Sequence, residues 1–343
     1  MGKGKKILKT AAIILIVLAV LVLSFTVYMS LEIKGEPSKS IFNESDVFES
    51  ADISSLIKEE GKDFQILLFS DIQLSGNIIS DQKALKLVDQ LVQEINPDFI
   101  MTTGDNAMMP FSDIVTKKLI SQMESYQIPW GVTFGNHDSE GRPDRTWFGN
   151  QYENAAYSLF KAGPSNIQGI GNYVINIVNK KSDPIYSLIM MDSNTNRVYE
   201  DGKDYDYIYD NQISWYEWVV KGQPEVPSML FFHIPLPEFK QAVSQWENGE
   251  IDRSSGFGEN HEDVFCAPVN TGFFDKIKTL DSTTHMFNGH DHINSLSVLF
   301  EGIRMTYGLK TGPCSYSEKE MQGATLITIK DGTNEVIVEH LYR

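Results

Sequence analysis

The chain has 343 residues, of which 41% are hydrophobic, 11% aromatic and 22% charged; this excludes a disordered or fibrous protein and leaves room for a sizeable core. Two cysteines exclude a disulfide scaffold and a thiolate zinc ribbon. The net charge of −17, from 29 Lys+Arg against 46 Asp+Glu, lacks the basic footprint of nucleic-acid binding, so no nucleic-acid partner is expected.

The charge is uneven. Residues 1–34 carry five lysines and one glutamate, net +4, which leaves −21 for the rest. Thr10–Leu31 is an uncharged run of 22 residues. As a helix it spans about 33 Å, against a hydrocarbon core of about 30 Å. Lys3, Lys5, Lys6 and Lys9 precede it, so the positive-inside rule places the N-terminus in the cytoplasm and the remainder outside. The run is long for a cleaved signal, and Phe25–Met29 is bulky rather than small-x-small. The expected division is a cytoplasmic basic tail over 1–9, a transmembrane signal-anchor over 10–31, a stalk or irregular lead-in over 32–62 and one large domain over 63–343. Outside the cytoplasm Cys266 and Cys314 could pair or remain free.

From Phe64 the pattern alternates strand and helix. Phe64–Ser70 reads as a buried strand, and Asp81–Ile95 as a helix with Asp81 as first-turn acid or cap and Pro97 as its stop. Phe99–Thr103 reads as strand, Ile114–Ser125 as helix and Pro129–Phe134 as strand. Tyr173–Val178 and Tyr186–Met191 read as strands, and Asn211–Lys221 as an amphipathic helix. Ser228–Phe232, Thr284–Phe287, Ser295–Phe300, Ile303–Tyr307, Ala324–Ile329 and Glu335–Leu341 read as strands. A layered α/β sandwich with mixed sheets fits this order.

Five polar clusters each follow one of these strands: Asp71-Ile72-Gln73, Gly104-Asp105-Asn106, Gly135-Asn136-His137-Asp138, His233, and Gly289-His290-Asp291-His292. In open α/β sheets ligands bind at the carboxyl ends of strands, so the five can converge on one crevice. Asp, Asn, Gln and His are oxygen and imidazole donors suited to zinc, manganese or iron. Seven candidates (Asp71, Gln73, Asp105, Asn136, His233, His290 and His292) exceed one mononuclear site and suit two cations sharing a carboxylate.

This ordered set resembles the calcineurin-like metallophosphoesterase superfamily, whose usual pattern is D-x-H, G-D, G-N-H-D/E, H and G-H-x-H. It covers roughly Gln65 to Gly308. Thr133–Gly141, Gly169–Val174, Phe231–Pro237, Pro268–Phe274 and Tyr307–Ser315 further resemble its purple-acid-phosphatase-like fungal and plant branch. The resemblance implies a four-layer α/β/β/α sandwich with two mixed sheets, here behind one N-terminal transmembrane helix. It implies two divalent or mixed-valence ions of the manganese, iron or zinc class. Asp71, Gln73, Asp105 and His292 would hold one, and Asp105, Asn136, His233 and His290 the other, around a water that attacks phosphorus in line. His137 would act as general acid or electrostatic stabiliser, with Asp138 orienting it. Two positions depart from the relatives. Gln73 replaces a histidine, as in manganese-dependent diphosphatases of the superfamily. Met108 stands where purple enzymes carry tyrosine, so no purple chromophore is expected.

The expected activity is hydrolysis of phosphate monoesters at a membrane, with the catalytic domain extracytoplasmic. A phosphodiesterase or nucleotide diphosphatase is the alternative, which a base-stacking wall of Trp147, Phe148 or Tyr152 would favour. A silent surface binding domain is the other. Arg142 and Arg145 are either phosphate clamps or solvated surface. His261 and Glu262 are candidates for the substrate pocket. Asp204, Asp206 and Asp210 read as a solvated acidic loop, and His285 and His340 carry no site signal.

Overall fold

The computed structural model of the chain describes residues 3–49 and 53–343; residues 1–2 of the basic tail and 50–52 of the lead-in lie outside the described residues. Helix α1 (Lys3–Ser30) is long and apolar enough to cross a membrane, with its central aliphatic side chains exposed on all sides. The lead-in is irregular but does not stand off as a free stalk. Ile33 brackets Arg142 and Asp144 with two backbone hydrogen bonds. Asn150 and Asn166 each exchange a pair of hydrogen bonds with the backbone of Glu36 and Phe42, and Phe42 and Phe48 pack edge-on against Trp218. The lead-in ends in β1 (Ser54–Ile57), which joins the main sheet, so folded structure begins before Asp63.

The domain is built from two sheets. The smaller comprises β2 (Phe64–Phe69), β3 (Phe99–Thr103), β4 (Trp130–Thr133), β14 (Gly323–Ile329) and β15 (Val336–Tyr342), in the order β15-β14-β2-β3-β4. Its β2, β3 and β4 are parallel neighbours. The larger adds β5 (Tyr173–Val178), β6 (Pro184–Met190), β9 (Ser228–Phe231), β10 (Gly256–Phe257), β11 (Thr283–Asn288), β12 (Ser297–Phe300) and β13 (Ile303–Tyr307) to β1, in the order β1-β5-β6-β9-β11-β13-β12-β10. Strands β6, β9 and β11 run parallel there. A separate hairpin, β7 (Asn196–Tyr199) and β8 (Gly202–Tyr205), lies outside both sheets.

One hydrophobic cluster joins the two sheets to α2 (Ile78–Ile95), α3 (Ser112–Ser125) and α4 (Arg145–Glu153). A second lies on the other face of the larger sheet, under α5 (Asp210–Gly222), α6 (Glu238–Glu247) and α7 (Phe273–Leu280). The result is the four-layer sandwich expected, with mixed sheets inside and helices outside.

Most predicted elements lie within one to three residues of the observed ones. Helix α2 starts at Ile78, not Asp81, because Asn77 caps it by accepting from the amides of Ile79 and Ser80. Asp81 reaches back to the amides of Ser75 and Gly76 instead. Helices α4, α6 and α7 and the β7–β8 hairpin were not predicted; they are short, and the hairpin is almost wholly polar. Cys266 and Cys314 are free thiols.

His340 ties the sheets together. On β15 it hydrogen-bonds the Thr325 hydroxyl of β14 through Nδ1 and the Ser295 carbonyl, just before β12, through Nε2. Burial lowers its pKa to about 4, and likewise that of His285. Both rings are therefore neutral in the fold while their unfolded counterparts titrate near the ordinary value of about 6.5. Below that pH the unfolded chain takes up protons that the fold refuses, so stability falls as pH drops from about 6.5 towards 4. Thermal melts between pH 7.5 and 4.5 should show this slope, and His340→Gln should flatten it; an unchanged slope would remove His340 from the account.

Candidate metal centre

The five polar clusters leave the carboxyl ends of β2, β3, β4, β9 and β11, three from one sheet and two from the other. Both sheets aim these ends at one place. Asp71 and Asp105 are each 1% exposed. Ligand atoms of Asp71, Asp105 and His292 lie within 4.8 Å of one another, a buried group that can hold a cation. His233 Nε2 is 3.3 Å from Asp105 Oδ2 and 3.3 Å from His290 Nδ1. The amide of His137, the residue after Asn136, donates to Asp105 Oδ1.

Backbone geometry makes this approach feasible. Asp71, Gln73, Asp105 and His290 all have positive φ, between 50° and 79°, in the left-handed region that ordinary residues avoid. Two motif glycines are required by contact. A Cβ on Gly135 would lie 2.1 Å from Asp105 Oδ1, and one on Gly289 would lie 1.9 Å from Ser70 Oγ and 2.6 Å from Asp71 Oδ2. Gly135→Ala should therefore displace the Asp105 carboxylate and lower metal content with little loss of helix or sheet signal, measurable by elemental analysis and circular dichroism.

Two carboxylates in one buried spot demand positive charge or protons. Burial disfavours their charge, but His233, His292 and Lys310 more than offset this for Asp71, and His233 and His137 do so for Asp105. His233 is held up at about 10 by Asp105 and Asp71 against its own burial. His290 is driven the other way, to about 3, by burial and by His233, so its imidazole is neutral.

Gln73 reaches the centre with its nitrogen. Its Oε1 accepts from the Lys310 ammonium at 2.6 Å, while Nε2 lies 3.1 Å from His292 Nε2 and 3.4 Å from Asp105 Oδ2. The expected oxygen ligand is thus turned away, because a buried ammonium beside it accepts nothing and selects the oxygen. Lys310 lies within Tyr307–Ser315, but its link to Gln73 spans 237 residues and leaves no local signal. Its pKa falls to about 8 through burial.

Asp138 does not orient His137. Its carboxylate accepts from the amides of Asn106, Ala107 and Gly135 and staples the β3 and β4 loops together. His137 Nδ1 pairs with Glu140 instead, at 2.8 Å, and its Nε2 lies 3.9 Å from Asp105 Oδ2. Asp138→Ala would leave three buried amides unpaired and should cost about 2–4 kcal/mol, readable as a lowered denaturation midpoint.

The arginines are neither phosphate clamps nor solvated surface. Arg145 pairs with the buried Asp192 at 2.6 Å over the Phe134 ring, and Arg142 pairs with Asp113 over the Tyr28 ring. Phe148 and Tyr152 are fully buried, so no base can stack on them. Trp147 is partly buried against the same core. His261 is held between Glu259 and Glu318, while Glu262 accepts from the Ile293 amide next to His292. Of the acidic loop, Asp206 is buried and bonded to Tyr209. Two tyrosines not anticipated cover the histidines: Tyr205 of β8 stands edge-on to His290 at 4.4 Å, and Tyr316 lies against His292 at 4.3 Å and accepts from it through its carbonyl.

A profile of the calcineurin-like phosphoesterases matches residues 64–294, two thirds of the chain and all five clusters. The chain belongs to the calcineurin-like phosphoesterase family. These are hydrolases acting on phosphate ester bonds. The chain is 24% identical over 304 residues to "Probable inactive purple acid phosphatase 14" of Arabidopsis thaliana, covering 81% of this chain and 73% of the relative. It is 32% identical over 234 residues to "Phosphatase DCR2" of Saccharomyces cerevisiae, covering 63% of this chain but only 39% of that protein. Among solved structures, a dimetal phosphatase from Danio rerio superposes with a TM-score of 0.50 at 10% identity, over 82% of this chain and 99% of the other.

Proposed function

We propose that the protein is a membrane-anchored, outward-facing phosphatase that hydrolyses phosphate monoesters at a two-metal centre. One observation carries the reading. Asn136 Oδ1 and His290 Nε2 are buried without a hydrogen-bond partner, and Asp71 Oδ1 has only the His292 imidazole beside it at 3.2 Å, in a site that also holds Asp105 and His233. Buried polar atoms are normally paired, and lone pairs left free in one place suit cations. Asp71, Asp105 and His292 would hold one cation, and Asp105, Asn136, His233 and His290 the other. Two such cations, when bound, supply an activated water and a clamp for phosphoryl oxygens.

The chain's own residues supply the rest. His137 stands at the mouth with its side chain 32% exposed, its Nδ1 fixed by Glu140 and its Nε2 turned inward. Nε2 can carry the proton that a leaving oxygen needs. The burial of Phe148 and Tyr152 removes two of the three aromatic residues expected to stack a base, which favours monoesters over nucleotides. Three relatives bear "inactive" in their names, which keeps a silent binding domain as the second reading.

Three experiments test the proposal. Asp105→Asn should lose at least one metal ion and slow aryl-phosphate hydrolysis by about a hundredfold or more, because both cations would draw on that carboxylate. Near-normal turnover would refute the two-metal assignment. His137→Ala should lower kcat by about 10²–10³ with metal content unchanged, which separates an acid from a ligand. The cation on Asp71, Asp105 and His292 has only three protein donors, one of them imidazole. It should exchange faster, accept manganese after chelation, and tighten in Gln73→His with a shift towards zinc or iron. Identical titrations of manganese, zinc and iron(II) in both proteins would show that position 73 does not reach the coordination sphere even as histidine, and would overturn this prediction.

A further inference from the structure

This acidic chain keeps one part of its surface apolar and basic. Ile78 and Ile79, which open α2, are 70% and 69% exposed; Met109 and Ile114 are 49% and 56% exposed. Lys83 and Lys86 follow Ile79 by four and seven residues, and Lys117 and Lys118 follow Ile114 by three and four, so each set shares a helix face. All four lysines are exposed, while the acids of the same turns, Asp81 and Asp113, are buried. The outer faces of these first turns therefore present isoleucine and lysine without carboxylate.

This patch adjoins both the end of α1 and the metal centre. Gly76 packs so closely on the Phe111 ring that a Cβ there would come within 2.6 Å of it. Phe111 in turn lies 6.1 Å from the Phe25 ring and 5.9 Å from the Tyr28 ring, in the last two turns of α1. The Tyr28 hydroxyl donates to Asp113. If α1 spans a bilayer with its lysines in the cytoplasm, Phe25 and Tyr28 lie in the outer interface, where aromatic side chains collect. Phe111 and the patch around it then lie at the same depth. Met109 is four residues from Asp105, no more than about 14 Å of chain.

We infer that Ile78, Ile79, Met109 and Ile114 seat in the outer lipid interface, and that the centre takes phosphate esters carried by lipids in that surface. The inference rests on the proposed span and phosphatase activity. Apolar side chains edged by lysine suit an anionic headgroup layer. A second copy of the chain suits it less, because a two-fold contact would bring the lysines together.

The test uses the full chain in bilayers of phosphatidylcholine and phosphatidic acid. Ile79→Trp adds fluorescence that brominated acyl chains should quench relative to wild type. Added emission that stays unquenched would overturn the seat, whether the residue faces water or another copy. Hydrolysis of bilayer phosphatidic acid is then compared with that of a soluble aryl phosphate. Joint replacement Ile78→Ser, Ile79→Ser and Met109→Ser should lower the lipid-to-soluble rate ratio by at least about tenfold, as loss of interfacial apolar area predicts. An unchanged ratio, or wild type that cleaves the soluble ester alone, would overturn the lipid-substrate assignment. Failure to cleave either ester would instead overturn the phosphatase reading, and quenching would still decide the seat.

Discussion

The structure turns on two carboxylates buried side by side. Asp71 and Asp105 sit at the ends of neighbouring parallel strands, almost fully removed from water. Their repulsion and lost hydration are costs that an apolar core would not tolerate uncompensated. The surrounding chemistry supplies that compensation. Imidazoles approach from the second sheet, a buried lysine approaches from beyond β13, and backbone amides of His137 and His290 donate to the carboxylates directly. Glycines at 135 and 289 exist because no Cβ fits between a loop and a carboxylate.

That constraint also explains why two sheets are needed. One sheet provides parallel strand ends about 4.8 Å apart, which places Asp71 next to Asp105 but leaves one side of them open. The second sheet closes it with His233 and the His290–His292 turn. His233 is aimed by a hydrogen bond between its Nδ1 and the Thr103 carbonyl, at the end of β3 in the opposite sheet. The far nitrogen is thereby directed at Asp105, the orientation that a ligating imidazole requires.

Much of this was legible in sequence because each cluster follows a hydrophobic run that forms its strand. Motif order and strand ends together locate Asp71, Asp105, Asn136, His233, His290 and His292. What was not legible depends on contacts far apart in the chain. Lys310 turning Gln73 around, Tyr205 covering His290, and Arg145 pairing with Asp192 leave no periodic trace. Asp138 differs for another reason: the family resemblance implied that it orients His137, but the tight turn after Gly135 directs its carboxylate to three amides. Glu140, three residues from His137, takes the orienting place.

The loop after β4 serves two neighbours at once. Its first part presents Asn136 and His137 to the centre. Its next part sends Arg142 to Asp113 beneath the Tyr28 ring, while the Arg142 carbonyl accepts from Ile33. Ser112, at the start of α3, donates to the Glu140 carbonyl, so the residue that orients His137 is fixed by the helix that receives Tyr28. Arg142 and Asp113 are largely buried, and a pair in that setting loses more when one partner is removed than it gained on forming. The end of α1 thus covers an ion pair as well as adding apolar contact. Placement of His137 and placement of α1 are consequently coupled through a few short, well-paired contacts, and the orientation of the domain at the end of α1 follows from the same residues that shape the mouth of the centre.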